Sequence, residues 1–292
     1  MDDQAARLRD LVGRRECKPA EAVRNTHILT VTSGKGGVGK SNFTLNFALS
    51  LVKRGYQVLV FDADIGLANI DVLLGTQALY NLYHLLIGEK KIQEIIHEGP
   101  YGLRLVAGGS GFHDLLQLTE AELNDFADQV NSLYGYYDFI IFDTGAGLSK
   151  ETLKFILAAQ ETIVVTTPEP TSITDAYAII KMIHQLEHKV SFKLVINRVS
   201  SFREGRQTAD KITLVAERFL HLQIPTLGFL EDDTHVSKAV KKQTPFLVAY
   251  PNASASRDLE SLVDRFLNGH RLGHSSERTW KQFWGKLIGW RK

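Results

Sequence analysis

Short apolar runs separated by longer stretches of helical periodicity occupy most of this chain. Ile28-Leu29-Thr30-Val31-Thr32 has the apolar character of a buried strand, and Asn42 to Leu51 follows with apolar residues at helical spacing. Similar runs recur, giving candidate strands at 28–33, 57–62, 103–107, 138–142, 161–166, 192–196 and 225–229, with helical stretches between them. Strands that are apolar throughout need cover on both faces, and strands separated by helices pair in parallel. The pattern predicts an α/β fold: a three-layer sandwich with a mostly parallel sheet of about seven or eight strands between layers of helices. Residues 81–87 read as a core-like helix. His84 within it reads as a packed or surface histidine, since no metal partner stands at a suitable spacing.

The two ends depart from this rhythm. Residues 1–27 precede the first strand and can form a short helix with Ala5, Leu8, Leu11 and Val12 on one side, capped by Asp2 or Asp3 and stopped by Gly13. Such a segment fits either a plain N-terminal arm or an amphipathic peptide for a partner's groove. The repeated units fill 28–268, and a polar linker spans 269–276. Over 277–292, helical winding puts Trp280, Phe283, Trp284, Leu287, Ile288 and Trp290 on one face, opposite Lys281, Gln282, Lys286 and Lys292. A tethered basic helix with a tryptophan-rich face fits an interfacial membrane anchor, with roughly 1 kcal/mol per basic residue near an acidic leaflet. A helix docked on the domain, or one that binds a partner, has the same pattern.

Composition narrows the possibilities. With 292 residues, 44% of them hydrophobic and 23% charged, the chain suits one large globular domain with short appendages. A net charge of +1 supplies no overall field to attract nucleic acid. A single cysteine, Cys17, leaves no intrachain disulfide and no cysteine cluster for zinc. The N-terminus has mixed charge and does not read as a signal peptide, and no stretch approaches the roughly 18 apolar residues of a membrane span. The expected compartment is the cytoplasm.

The chemistry is concentrated at predicted strand ends. Ser33-Gly34-Lys35-Gly36-Gly37-Val38-Gly39-Lys40-Ser41 fits the phosphate-loop template, lying between a strand and a helix as that template requires. Glycines let successive backbone N–H groups turn toward a phosphate, and the helix start adds free N–H groups. Lys40 is placed to reach the β- and γ-phosphates and Ser41 to ligate Mg²⁺. Phe61-Asp62-Ala63-Asp64 puts two carboxylates at the second strand's end. Phe139-Ile140-Ile141-Phe142-Asp143 ends an apolar strand on a carboxylate suited to hold Mg²⁺ through water, and Gly145 and Gly147 then permit loop movement. Glu169 ends the fifth predicted strand, with a helix starting at Thr171 or Ser172, and Asn197-Arg198 ends the sixth. Gly108-Gly109-Ser110-Gly111 reads as a flexible connection, and Lys238, Lys241 and Lys242 fit a solvated face.

Lys35 makes the loop distinctive. Lys35-Gly36-Gly37-Val38-Gly39-Lys40-Ser41 resembles the deviant phosphate loop of the MinD, ParA, nitrogenase iron protein and arsenite-pump ATPases. Cluster bridging in the iron protein and metal binding in the arsenite-pump relatives need cysteines that this chain lacks. Val164 to Tyr177 and the C-terminal amphipathic segment resemble the MinD branch. Asp3, Gln4, Ala5, Leu8 and Arg9 resemble the N-terminal motif of its FlhG (FleN, YlxH) group, which regulates flagellar number and placement. The resemblance implies a weak Mg²⁺-dependent ATPase that binds ATP and ADP. It implies that Lys35 reaches a partner's nucleotide across a two-fold homodimer, that Asp64 orients the attacking water and that Asp62 lies beside the Mg²⁺ shell. Asn42 and Glu169 would border the nucleotide, Asn197 would read the adenine edge beside Arg198, and Phe229, Leu230 and Glu231 would complete that pocket. Implied partners are an acidic phospholipid membrane, the signal-recognition-particle-type GTPase FlhF through the N-terminal helix, and flagellar C-ring proteins. A division-site MinD and a ParA-type DNA partitioner are the alternatives, the latter disfavoured by the near-neutral charge.

Overall fold

The computed structural model describes residues 25–64, 69–76, 78–108, 125, 128–186, 190–269 and 285–286. Its strands are β1 His27–Ser33, β2 Val58–Ala63, β3 Ile96–Glu98, β4 Arg104–Val106, β5 Phe139–Ala146, β6 Glu161–Thr166, β7 Ser191–Val199 and β8 Thr226–Glu231. The α-helices are α1 Lys40–Lys53, α2 Ile70–Leu74, α3 Leu82–Leu86, α4 Ile92–Ile95, α5 Lys150–Ala158, α6 Pro170–Leu186, α7 Phe202–Leu220, α8 Thr234–Lys241, α9 Phe246–Ala249 and α10 Ser254–Gly269.

All eight strands form one sheet in the order β3-β4-β2-β5-β1-β6-β7-β8, parallel except at the β3–β4 edge. The expected α/β sandwich is the one observed. Alternate residues of each central strand enter different cores, which is why these strands read as apolar throughout. Leu29, Val31, Val60 and Ile141 pack with Phe43 and Phe47 of α1 and Leu259 and Phe266 of α10. Ile28, Phe61, Ile140 and Phe142 face the opposite side, with α3, α4 and Phe155 of α5. Farther along that side, Val164, Leu194 and Ile196 meet α6 and α7. Phe61, Phe142 and Phe155 form a stack with centroid separations of 4.9 and 5.1 Å. Each fully buried phenylalanine contributes about 1.5–3 kcal/mol through removal of its surface from water.

Several boundaries differ from the sequence expectation, most by one or two residues. The antiparallel strand β3 was not foreseen, because Ile96-His97-Glu98 is too short and polar to form an apolar run. β5 continues past residue 142 to Ala146, where it pairs with Ser33. β7 likewise extends to Val199. α6 starts at Pro170, before Thr171 and Ser172, with the Glu169 carbonyl accepting from the Ile173 N–H. Proline suits a first helical position, where no backbone donor is needed. His84 is a capping residue: its Nδ1 is the acceptor 3.2 Å from the Asn81 N–H.

The N-terminal segment with Asp3, Gln4, Ala5, Leu8 and Arg9, the loop Gly109–Gly111, and the residues Trp280, Phe283, Trp284, Leu287, Ile288 and Trp290 lie outside the described residues. Of the predicted C-terminal helix, Gly285 and Lys286 are described; both are helical, and Lys286 donates to the Leu157 carbonyl at the end of α5 (3.3 Å). Among the described residues no helix is long and apolar enough to cross a membrane.

Candidate functional site: a nucleotide cradle at the carboxyl edge of the sheet

The loop from Gly34 to Gly39 joins the central strand β1 to α1. Two of its glycines are required by contacts. A Cβ on Gly34 would lie 2.3 Å from the Asp175 carbonyl carbon and 2.6 Å from the Ala176 nitrogen, so the loop's start is pressed onto α6. Gly39 has φ +91, and a Cβ there would lie 2.4 Å from the Asn197 amide nitrogen. Above Gly36 and Gly37 there is open space. Val38, between Gly37 and Gly39, is buried, and its carbonyl accepts from Asn197 Nδ2 at 2.7 Å.

Buried charge gathers at the floor of the loop. Lys40 Nζ donates to Asp143 Oδ1 at 3.0 Å and to Ser41 Oγ at 3.3 Å. The side chains of Lys40 and Asp143 are 6% and 0% exposed, so the pair is desolvated and breaking it is costly. The Thr44 hydroxyl, one turn after Lys40, donates to the same Asp143 oxygen at 2.8 Å. Among the described residues Asp143 Oδ2 is buried without a hydrogen-bond partner.

Asp62 pairs in register with Asp143 across β2 and β5. It accepts from the backbone N–H groups of Asp64 (3.3 Å), Asn69 (2.9 Å) and Ile70 (3.1 Å). Burial, reinforced by the neighbouring Asp143 charge, pushes its carboxyl up to about 7 against these three bonds. The residue expected only beside the Mg²⁺ shell therefore also anchors the backbone of Asp64, Asn69 and Ile70. Asp64 is half-buried and accepts from Asn69 Nδ2 at 3.3 Å. Burial raises its carboxyl, and the Lys40 ammonium opposes the shift. Asp143 and Asp64 thus bear on one buried ammonium, Asp62 stands beside Asp143, and one Asp143 oxygen is unpartnered. This donor set fits a hard divalent cation with part of its water shell retained, Mg²⁺ above all.

Beyond the loop a cleft of about 510 Å³ is lined by Asn42, Asn197, Arg198, Leu230, Glu231 and Asp232, among others. The cleft has the dimensions of a nucleoside site. The Val38 carbonyl takes one N–H of the Asn197 amide, which leaves the second N–H and the carbonyl oxygen as the donor and acceptor Asn197 can offer a base. Arg198 is held at φ +57 beside it. Phe229 does not line this cleft. Strand alternation turns its ring the other way, onto Gly205 of α7 and 5.1 Å from Phe202. Its expected place in the adenine pocket is corrected accordingly.

Lys35 is not directed to its own loop. Its ammonium donates to Glu169 Oε2 at 2.8 Å and to Thr171 Oγ1 at 3.0 Å, at the start of α6. The Lys35 charge and hydrogen bond hold the Glu169 carboxyl below its ordinary range. Sequence reasoning missed Thr44, Asn69 and Thr171. Only the spacing of Thr44, four residues after Lys40 on one helix face, offered a signal.

A family described as an AAA domain matches residues 26–196. The flagellum site-determining protein YlxH of Helicobacter pylori is 40% identical over 266 residues, covering 90% of each chain. The chain belongs to the MinD/ParA-type ATPases, in the FlhG (FleN, YlxH) group. The antiactivator FleN of Pseudomonas aeruginosa is 35% identical, with 85% of this chain and 89% of FleN covered. The septum site-determining protein MinD of Pyrococcus horikoshii, solved with Mg-ADP, superposes with a TM-score of 0.68 over 84% of this chain and 98% of that one, at 24% identity. For a MinD/ParA-type ATPase, the loop, Asp143 and the cleft fall where the sheet delivers a nucleotide, outside the carboxyl ends of the central strands.

Proposed function

We propose that this ATPase is a membrane-coupled switch controlling the number and placement of flagella. In that cycle a cytosolic monomer binds ATP, pairs with a second copy, and attaches to the inner face of the cell membrane until hydrolysis releases it. The observation that carries the reading is the division of labour between the loop's two lysines. Lys40 is buried on Asp143 at the phosphate site, whereas Lys35 stands exposed at the loop's mouth, facing away from that site. A cation so placed is available to a second copy's nucleotide, where it would stabilise charge on the transferred phosphoryl group.

Within one copy, the loop N–H groups and Lys40 hold the phosphates and the Asn197 carbonyl accepts from the adenine amino group. Asp64, steadied by Asn69, orients the attacking water. Ser41, Asp62 and Asp143 would hold Mg²⁺, which supplies shielding of phosphate charge when bound. Opening of the Asp62 to Asn69 segment and of the Gly145–Gly147 segment then follows loss of the γ-phosphate. Dimerisation brings together two C-terminal helices carrying Trp280, Phe283, Trp284, Leu287, Ile288 and Trp290. Avidity then converts two marginal lipid contacts into stable attachment to acidic phospholipid. The N-terminal segment around Asp3 to Arg9 would engage the GTPase FlhF, and the body the C-ring proteins.

Flotation with acidic liposomes, in non-hydrolysable ATP analogue, ADP or neither, tests the cycle, with mass measured in parallel by light scattering. Dimers and flotation are expected only with the ATP analogue, and both should vanish in Lys35→Ala. A protein that stays monomeric and unbound with the analogue overturns the proposal.

A further inference from the structure

We infer that Asn46 is a positioning residue for nucleotide binding: its buried amide turns the Asn42 side chain so that the Asn42 N–H groups face the nucleotide cleft. The inference rests on the reading of Asn42 as a residue that borders the nucleotide. Three hydrogen bonds fix the arrangement. Asn46 is fully buried in α1, and its Oδ1 accepts from the Leu247 backbone N–H of α9 at 2.9 Å. A backbone N–H can only donate, so the amide oxygen must be the end that meets it. The –NH2 end of Asn46 therefore points back along the helix. It donates there to the Asn42 carbonyl at 2.8 Å and to Asn42 Oδ1 at 3.0 Å. Both ends of the Asn46 amide are thus engaged. By the same logic Asn42 must meet Asn46 with its oxygen, and its planar amide leaves the –NH2 as the group it offers the cleft.

The place of Asn42 says what that group meets. The cleft is lined by Gly39 and Asn42, where the phosphate loop runs into α1, and elsewhere by Glu231, Asp232 and Asp233. A nucleotide with its phosphates in the loop and its base beside Asn197 passes Asn42 where the sugar joins the phosphate chain. Phosphate oxygens only accept hydrogen bonds, and ionised carboxylates cannot donate to them. Asn42 supplies a donor. As the third residue of α1 it adds to the free N–H groups and partial positive charge of the helix start. Turned the other way, its carbonyl oxygen would face the phosphate and repel it. The two orientations have nearly the same shape, so packing alone does not choose between them; Asn46 does. Leu247 holds Asn46 in turn, which makes α9 part of the arrangement, and Phe246 beside it lines the same cleft.

The test uses the full chain with Asn42→Ala, Asn42→Asp, Asn46→Leu, and Asn42→Ala combined with Asn46→Leu. Titration calorimetry in Mg²⁺ gives the affinity for ADP and for a non-hydrolysable ATP analogue. Thermal melting without nucleotide gives stability. ADP binding needs no dimer, so the result does not depend on the membrane-coupled cycle. A hydrogen bond to a charged oxygen is equivalent to roughly tenfold or more, so Asn42→Ala should weaken both nucleotides about tenfold. Asn46→Leu should weaken both about fivefold, yet add nothing once Asn42 is replaced by alanine. Asn42→Asp keeps an oxygen for the Asn46 donors, so it should melt no lower than Asn42→Ala while binding both nucleotides more weakly. Wild-type affinity in Asn42→Ala removes the reading of Asn42 on which the inference rests, and sinks both. If that variant does lose affinity, multiplying losses from the two positions overturn the role of Asn46 alone. Melting of Asn42→Asp below Asn42→Ala overturns the assigned orientation, a readout that stands even if Asn46→Leu fails to fold.

Discussion

Asn197 offers the sharpest test of how the base cleft and the phosphate loop are joined. Its Nδ2 donates to the Val38 carbonyl at 2.7 Å, and Val38 is 3% exposed. Replacing Asn197 with alanine leaves that carbonyl without its side-chain donor, in a place water reaches poorly. An unmatched buried carbonyl costs about 1–3 kcal/mol, equivalent to about 5- to 150-fold in an equilibrium constant. Where the cost appears depends on the freed loop. If the loop relaxes, nucleotide binding must restore its shape and the cost falls on affinity. If it stays in place, the cost falls on stability, at roughly 2–4 °C of melting temperature per kcal/mol for chains of this size. Asn197→Asp should be worse than Asn197→Ala, because it sets a charged oxygen against the Val38 carbonyl. The two readouts are titration calorimetry with a non-hydrolysable ATP analogue in Mg²⁺ and thermal melting without nucleotide. Wild-type affinity and melting in both variants, or a milder effect for aspartate than for alanine, would refute the reasoning.

Two further outcomes follow from buried charge. Lys40→Met leaves Asp143 buried without its cation and should cost about 3–5 kcal/mol of stability in Mg²⁺-free denaturant unfolding. Asp143→Asn should cost less, because it also relieves the repulsion on Asp62; the reverse order would contradict the assigned geometry. Burial raises the Glu161 carboxyl, opposed by the Lys193 ammonium 3.5 Å away. A folded value above the unfolded one means this contribution is complete below the unfolded value, roughly 4.3, and is lost as pH rises through the folded value. The stability of wild type relative to Glu161→Gln should therefore fall as pH rises above about 4.3. Urea unfolding at a series of pH values checks this, and a pH-independent difference would contradict it.

The layered fold and the loop could be read from the chain because each left a local trace. Continuous apolar runs marked the doubly covered strands, and glycines at fixed offsets marked the cradle. What escaped depends on register across the sheet, which no single run encodes. Thr44 matters because α1 lies over β5, and Asp62 is raised because it stands opposite Asp143. Phe229 seemed a pocket residue from its neighbours, Leu230 and Glu231, but the two-residue period of β8 turns it to the other face. The engagement of Lys35 by Glu169 joins positions 134 apart and had no sequence signature.

The place of β1 in the sheet has a consequence for how the protein is made. Its two neighbours are β5 and β6, which begin at Phe139 and Glu161. A chain emerging from the ribosome therefore presents its phosphate loop long before the strands that brace it exist, and Asn197 arrives later still. Early nucleotide binding cannot guide this assembly. Closure waits on distant segments, so folding should be slow for a chain of this length, and its first apolar strand should be a natural client for chaperones.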